Sequence, residues 1–300
     1  MPCYKPLNGW RSVSRNPSGK RGIVFSLSNG DPSQKVQLPC GQCIGCRLER
    51  SRQWAVRCLH EKQLHSKNCF ITLTYNDEHL PHDQGLRKRD FQTFMKKVRN
   101  RIGPVRYYHC GEYGENFGRP HYHALFFGLD FDDKVYWSGE DDQKLHVSPT
   151  LDELWGKGYA LIGSVTFESA AYVARYITKK VTGEKAHDHY QKVDPDTGEI
   201  FQIEPEYTTM SRRPGIGKEW YERYKAEILA HDSVIVRGVH TLPPRYYDAL
   251  SERENEIEYS LRKAKRKAEE NNPNNFLERL IVREEVAEAY QKLKSRGKLT

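Results

Sequence analysis

Arg119-Pro120-His121-Tyr122-His123-Ala124-Leu125-Phe126-Phe127 sets two histidines two residues apart inside an apolar, aromatic run. Such a run reads as a strand. Its alternation turns His121 and His123 to one face, where two imidazoles can grip a single metal ion. The run is apolar on both faces, which places the strand at the centre of its sheet. Further along, Tyr172-Val173-Ala174-Arg175-Tyr176-Ile177-Thr178-Lys179-Lys180 has helical spacing. That spacing brings Tyr172 and Tyr176 onto one face and sets Lys179 beside them.

Around these two stretches the pattern predicts an α+β fold. Residues 70–75 are β-branched and aromatic and read as a strand, and residues 86–101 carry Phe91, Phe94, Met95 and Val98 at helical spacing. A second strand over 105–110, a turn-rich connection over 111–118 and the histidine strand over 121–129 follow. After an acidic insertion (130–142) come a short helix at 151–155, a fourth strand at 159–165 and the tyrosine helix at 168–181, capped by Thr166 or Ser169. The order β-α-β-β-α-β-α predicts an antiparallel sheet of four to five strands with flanking helices, in the ferredoxin-like manner. Four segments are expected. Residues 1–66 form a basic, cysteine-rich segment, irregular to residue 46 and helical from Arg47, and residues 67–182 form the core. Residues 183–217 are a polar linker with a hairpin at Asp194-Pro195-Asp196-Thr197-Gly198. Residues 218–300 are helical, with Val282, Val286, Tyr290 and Leu293 as an apolar stripe for docking, dimerisation or helicase recruitment.

The net charge of +8 lies wholly in residues 1–60, which hold ten Lys/Arg against Asp31 and Glu49; the remaining residues balance. A basic segment of this kind favours a polyanion such as nucleic acid. No apolar run is long enough to span a membrane and no signal-peptide stretch opens the chain, so a soluble intracellular protein with reduced thiols is expected. No Walker A loop is found, so any strand unwinding needs a separate motor.

Two imidazoles and one carboxylate leave coordination positions for a phosphate oxygen and water, and Mg²⁺ or Mn²⁺ suits that role. Glu112 or Glu115 can supply the carboxylate. A tyrosine with a pKa near 10 is phenolate about once in a thousand at pH 7, so it needs nearby positive charge such as Lys179 to act as a nucleophile. Cys40, Cys43 and Cys46 form a C-x2-C-x2-C run; zinc needs a fourth ligand, with Cys3 as first candidate and Cys58 or His60 as alternatives. A ferredoxin-type cluster is excluded because Arg50 stands where a further cysteine is needed. An ordered zinc segment would present Arg47, Arg50, Arg52 and Arg57 to DNA phosphates.

Residues 70–75, His121-Tyr122-His123 and Tyr172-Val173-Ala174-Arg175-Tyr176 resemble the three ordered motifs of HUH endonucleases that initiate rolling-circle replication. The chain is most similar to the initiators of microviruses, the small single-stranded DNA bacteriophages, and especially their gokushovirus branch. The cysteine run Pro39-Cys40-Gly41-Gln42-Cys43-Ile44-Gly45-Cys46-Arg47 shares in the resemblance, which covers residues 38–181 well and the C-terminal third weakly. It implies an HUH endonuclease fold, a catalytic metal held by His121, His123 and Glu112, and Tyr172 and Tyr176 as nucleophiles. It further implies a 5′-phosphotyrosine link to origin DNA, a freed 3′-hydroxyl that primes the host polymerase, and later ligation without ATP. A host helicase is the expected partner and the bacterial cytoplasm the expected place. A transposase or mobilisation relaxase shares this chemistry. A non-catalytic, zinc-stabilised single-stranded DNA binder is the rival from another class, and it leaves the histidine–tyrosine constellation without a use.

Overall fold

The computed structural model of the protein describes residues 3–17, 19–114, 118–181, 183–194, 197–268 and 273–295. The chain divides into two compact units, one made of Ser51–Asn255 and the other of Met1–Arg50 with Glu256–Thr300. None of the described helices is long and apolar enough to cross a membrane.

The smaller unit begins with β1 (Leu7–Arg15), β2 (Arg21–Val24) and β3 (Gly30–Leu38), paired antiparallel in the order β2-β1-β3. Residues 1–46, expected to be irregular from their Gly, Ser and Pro, are thus largely a small sheet. The glycines serve packing here: a Cβ on Gly30 would lie 2.5 Å from Cβ of Trp10. Helix α1 (Ile44–Lys62) follows and continues into the larger unit.

In the larger unit come β4 (Asn68–Tyr75), α2 (Lys88–Arg101), β5 (Arg106–Tyr113), β6 (Pro120–Phe127), β7 (Val135–Ser138), β8 (Leu145–Val147), α3 (Pro149–Trp155), β9 (Gly158–Gly163) and α4 (Phe167–Lys179). Then follow α5 (Lys185–His189), the hairpin β10 (Gln191–Val193) and β11 (Ile200–Gln202), β12 (Tyr207–Met210), α6 (Lys218–His231), the hairpin β13 (Val234–Val236) and β14 (Val239–Thr241), and α7 (Arg245–Glu254). The smaller unit closes with α8 (Glu256–Ala268) and α9 (Leu277–Ser295).

One antiparallel sheet organises the larger unit, in the order β12-β5-β6-β4-β9-β8-β7. It has seven strands where four to five were expected. The additional ones come from the acidic insertion (β7), from the stretch just after it (β8) and from the segment expected to be a linker (β12). These strands are three or four residues long, too short to show alternation in sequence. β12 acquires its conformation by pairing with β5, Thr208 opposite Cys110.

The histidine strand β6 lies between β5 and β4, as its apolar faces required. One face of the sheet, with Ile71, Leu73, Tyr122 and Phe126, buries Phe91, Phe94 and Val98 of α2 and Leu151, Leu154 and Trp155 of α3. The opposite face, with Tyr108, Cys110, Leu125 and Phe127, packs Ala55 and Cys58 of α1 and Ala170, Val173 and Ala174 of α4. The alanines let both helices lie close to the strands.

The apolar stripe expected on the last helix is exposed: Val286 is 64% and Tyr290 48% accessible. α9 instead buries Leu280, with Ala287 packed seven residues on, against Tyr4 and Cys43. Glu284, between them on that face, pairs with Lys5 at 3.0 Å, so a partly charged stripe docks in preference to the more apolar one.

A third cluster joins α1 to α6 and α7 through Val56, Tyr221, Ile228 and Tyr247. His60 stacks on Trp220 with ring centroids 3.4 Å apart, and its Nδ1 lies 2.8 Å from the Tyr247 hydroxyl. Burial lowers its pKa to about 3. The native state therefore holds this ring neutral, while the unfolded chain protonates it below about pH 6.5. Its contribution to stability is complete above that pH and is lost as pH falls towards 3. Between pH 7 and 5 the loss from this one group is about 2 kcal/mol. In urea titrations, His60→Asn should be less stable than the parent at pH 7, yet lose about 2 kcal/mol less between pH 7 and 5. An equal loss in both proteins would show that the ring is protonated in the native state.

Candidate active site

Antiparallel register builds the site. Glu112 on β5 stands directly opposite His121 on β6, and Cys110 stands opposite His123. Glu112 was expected in a turn-rich connection; β5 in fact runs on to Tyr113, so the strand itself carries the carboxylate to the histidines. Oε1 of Glu112 lies 2.7 Å from Nε2 of both His121 and His123. His121 Nδ1 is 3.0 Å from the Arg119 carbonyl, an acceptor only, so Nδ1 carries the proton there. The Nε2 of this ring faces the carboxylate, and a proton or a cation must lie between them. His123 is held from behind by the Thr72 hydroxyl at 2.9 Å and by stacking on Phe70.

Glu112 and His123 are buried, and the second oxygen, Oε2 of Glu112, has no hydrogen-bond partner among the described residues. Burial pushes the Glu112 pKa up, but the hydrogen bonds from His121 and His123 outweigh it and the net direction is down. Burial lowers the His123 pKa, against the raising effect of Glu112. The result is a carboxylate facing two nitrogen donors, with these ligand atoms and an orphaned oxygen converging. This donor set fits a divalent cation.

Helix α4 brings the tyrosine. Thr166 caps it: its hydroxyl accepts from the Ser169 backbone at 3.1 Å, while the Ser169 hydroxyl accepts from the Thr166 backbone at 2.9 Å. Ser51 of α1, buried, donates to the Ala171 carbonyl at 2.8 Å and ties the two helices beside Tyr172. The Tyr172 hydroxyl donates to Glu112 Oε1 at 3.3 Å, and its ring meets His123 edge-on at 5.1 Å between centroids. The Arg175 guanidinium lies 6.0 Å from the centre of the Tyr172 ring. Tyr176 is one turn further along α4; its side chain and that of Lys179 lie outside the described residues, as does Glu115. Thr72 and Ser51 had no role in the sequence expectations. Thr72 sits in a strand that its β-branched and aromatic residues had already marked, but only pairing with β6 reveals its partner.

In the smaller unit, Cys3, Cys40, Cys43 and Cys46 converge with all sulfurs within 4.8 Å of one another. Sγ of Cys3 and Cys43 are 3.9 Å apart, and those of Cys40 and Cys46 are 4.0 Å apart. Backbone N–H groups point at the sulfurs: Cys40 donates to Cys3, Cys43 to Cys40 and Tyr4 to Cys43, at 3.2–3.3 Å. Burial raises the thiol of Cys46. Cys43 feels the same effect, but N–H donors from Cys46 and Tyr4 bring it down to about 7. Four sulfurs with amide donors aimed at them fit a tetrahedral thiophilic ion. The alternatives lie elsewhere, Cys58 in the core under the sheet and His60 against Trp220.

Of the four arginines expected to meet phosphate, two are engaged within the larger unit. Arg57 lies between Trp54 and Tyr246, about 4 Å from each ring centre, and donates to the Ile216 carbonyl at 3.0 Å. Arg52 donates to the Thr241 hydroxyl and the Leu242 carbonyl. Both tie α1 to later segments through part of their donor set, Arg52 through Nη1 and Arg57 through Nε. Arg50 is exposed and Arg47 half-buried.

The family model for replication-associated protein ORF2/G2P matches residues 68–181, from the start of β4 to just beyond α4. The chain is 35% identical to the replication-associated protein VP4 of Bdellovibrio phage phiMH2K, over 82% of this chain and 76% of that protein. It is 33% identical to the replication-associated protein ORF2 of Spiroplasma virus 4, over 94% and 90%. Identity to the replication-associated protein ORF4 of Chlamydia phage 1 is 27%, over 71% and 53%. No solved structure matches. The matched segment contains Glu112, the histidine pair and Tyr172, and the similarity runs on through nearly the whole chain: this protein belongs to the phage replication-associated proteins, as a replication initiator of the microvirus type.

Proposed function

We propose that the protein cuts and rejoins the origin strand in the manner of HUH endonucleases, through a tyrosine nucleophile and a divalent metal. One observation carries the proposal: the Tyr172 hydroxyl donates to the same carboxylate oxygen that both histidines contact, so nucleophile and metal ligands share one point. In this reading His121, His123 and Glu112 would hold Mg²⁺ or Mn²⁺, which would supply Lewis acidity at the scissile phosphate. Tyr172 gives up its proton towards Glu112 and attacks phosphorus. A tyrosyl–phosphate bond forms to the 5′ side, and the bond to the 3′ oxygen breaks, releasing a 3′-hydroxyl. The link keeps the energy of the broken bond, so a later attack by a 3′-hydroxyl reseals the strand without ATP. Tyr176 serves the second cut, with Lys179 favouring its phenolate.

The segment 67–182 is the endonuclease core on this reading, and the four cysteines hold a structural zinc. Origin DNA, single-stranded or in supercoiled duplex, is the substrate; a host helicase and polymerase are partners; and the cytoplasm of the bacterial host is the setting. A transposase or relaxase fits the chemistry equally, but the relatives found are named for replication.

On supercoiled DNA bearing the cognate origin, with Mn²⁺ or Mg²⁺, the parent protein should convert substrate to nicked circles. His121→Ala/His123→Ala should cut at no more than about a hundredth of that rate, because Lewis-acid stabilisation is worth several kcal/mol. Its binding to single-stranded DNA should stay within about threefold, since phosphate contacts supply affinity. Tyr172→Phe/Tyr176→Phe should form no covalent DNA adduct on a denaturing gel. An adduct in that variant would place the nucleophile elsewhere.

Elemental analysis of purified protein should find about one zinc per chain, lost from Cys43→Ser/Cys46→Ser together with thermal stability. Zinc-free parent protein with an unchanged melting curve would exclude the structural site.

A further inference from the structure

The sheet face that carries the site is not covered evenly. Register sets His121, Thr74 and Tyr159 in one row across β6, β4 and β9. Exposure rises along the row: the His121 side chain is 17% accessible, Thr74 is half-buried, and Tyr159 is 70% accessible. Leu161 and Gly163, next on the same face of β9, are also only half-buried. An aromatic ring thus lies open to solvent two strand spacings, about 10 Å, from the candidate metal ligands.

The chain holds this ring in place by an unusual close approach. Gly158 has φ +147, and a Cβ there would fall 2.3 Å from the Thr74 carbonyl and the Asn76 nitrogen. The entry to β9 is thereby clamped against the end of β4. A cation stands at the same edge: Arg119 donates to the Tyr75 carbonyl at 2.9 Å and pairs at 2.8 Å with Asp77, itself almost fully exposed. Arg119 thus reaches from the head of the histidine strand to the end of β4, at Tyr75, the residue paired with Gly158 where β9 begins. An exposed ring, a cation and a hydroxyl, continuous with a site for phosphate chemistry, match a single-stranded nucleic acid: its bases stack on aromatic faces and its phosphates pair with cations.

We propose that Tyr159 is a stacking platform for a base of single-stranded DNA that neighbours the phosphate held at the histidines, with Arg119 contacting the adjoining backbone. The proposal rests on the strand-cutting function proposed above for the choice of ligand, but its test needs no cleavage. Fluorescein-labelled (dT)12 is titrated without divalent metal against the parent, Tyr159→Ala, Tyr159→Leu and Tyr159→Trp, with circular dichroism confirming that each variant is folded. Loss of one stacked base should weaken binding at least about fivefold in the alanine and leucine variants, and tryptophan should restore it. In parallel, (dT)12 carrying 5-iododeoxyuridine is irradiated with the parent, and the cross-linked peptide should contain Tyr159. Affinity within about twofold of the parent for Tyr159→Ala, parent-like binding by Tyr159→Leu, or cross-linking confined to other peptides would each overturn the platform. Cross-linking at Tyr159 in a protein that cuts no DNA would keep the platform and sink the nuclease. Origin cutting by the parent alongside unaffected binding by Tyr159→Ala would do the reverse.

Discussion

The carboxylate of Glu112 is the point on which the site closes. Two imidazoles and one phenol, from an adjacent strand and a helix, address the same oxygen. A buried carboxylate is costly unless it is hydrogen-bonded, and here the histidines and Tyr172 meet that need while its second oxygen stays without a partner among the described residues. The β5–β6 register is therefore not free to slip. A shift of one residue would turn Glu112 to the opposite face, into the apolar cluster under α2.

The helices meet the sheet on those terms. Alanines at 55, 170 and 174 allow α1 and α4 to approach closely, and Ser51 fixes α4 at the turn that carries Tyr172. The capping pair Thr166 and Ser169 sets where that helix starts, hence which residue faces Glu112. Elements on both sides hold the two imidazoles and the phenol 2.7–3.3 Å from one carboxylate oxygen. The tyrosine-dependent strand cutting proposed for this site would need such support, because a misaligned nucleophile loses most of its rate advantage.

The two candidate metal centres follow different chemistry and lie in different units. Nitrogen and carboxylate donors on strands, with positions left open, suit a hard or borderline ion that must also bind substrate. Four sulfurs gathered from a loop, the chain start and the head of α1 suit a closed tetrahedral site. In a small unit with exposed apolar residues such as Val13 and Phe25, an ion bound there would compensate for a thin core.

Local pattern determined much of this protein. Alternation around His121 and His123, helical spacing around Tyr172, and the run of three cysteines are short-range features, and each survives folding because it depends only on backbone geometry. Tertiary structure alone decided which distant residues complete them. Glu112 joins the histidines because β5 pairs with β6 in one register. Cys3 joins the cysteine run because the chain start packs back on it. The ring of Tyr159 stays open because no described helix covers that end of the sheet face. The short strands β7, β8 and β12 exist through their partners, and Arg57, basic in sequence, is taken up between two aromatic rings. The physical reason is the same throughout: a residue's type and spacing specify what it can contact, whereas pairing across long stretches of chain specifies what it does contact.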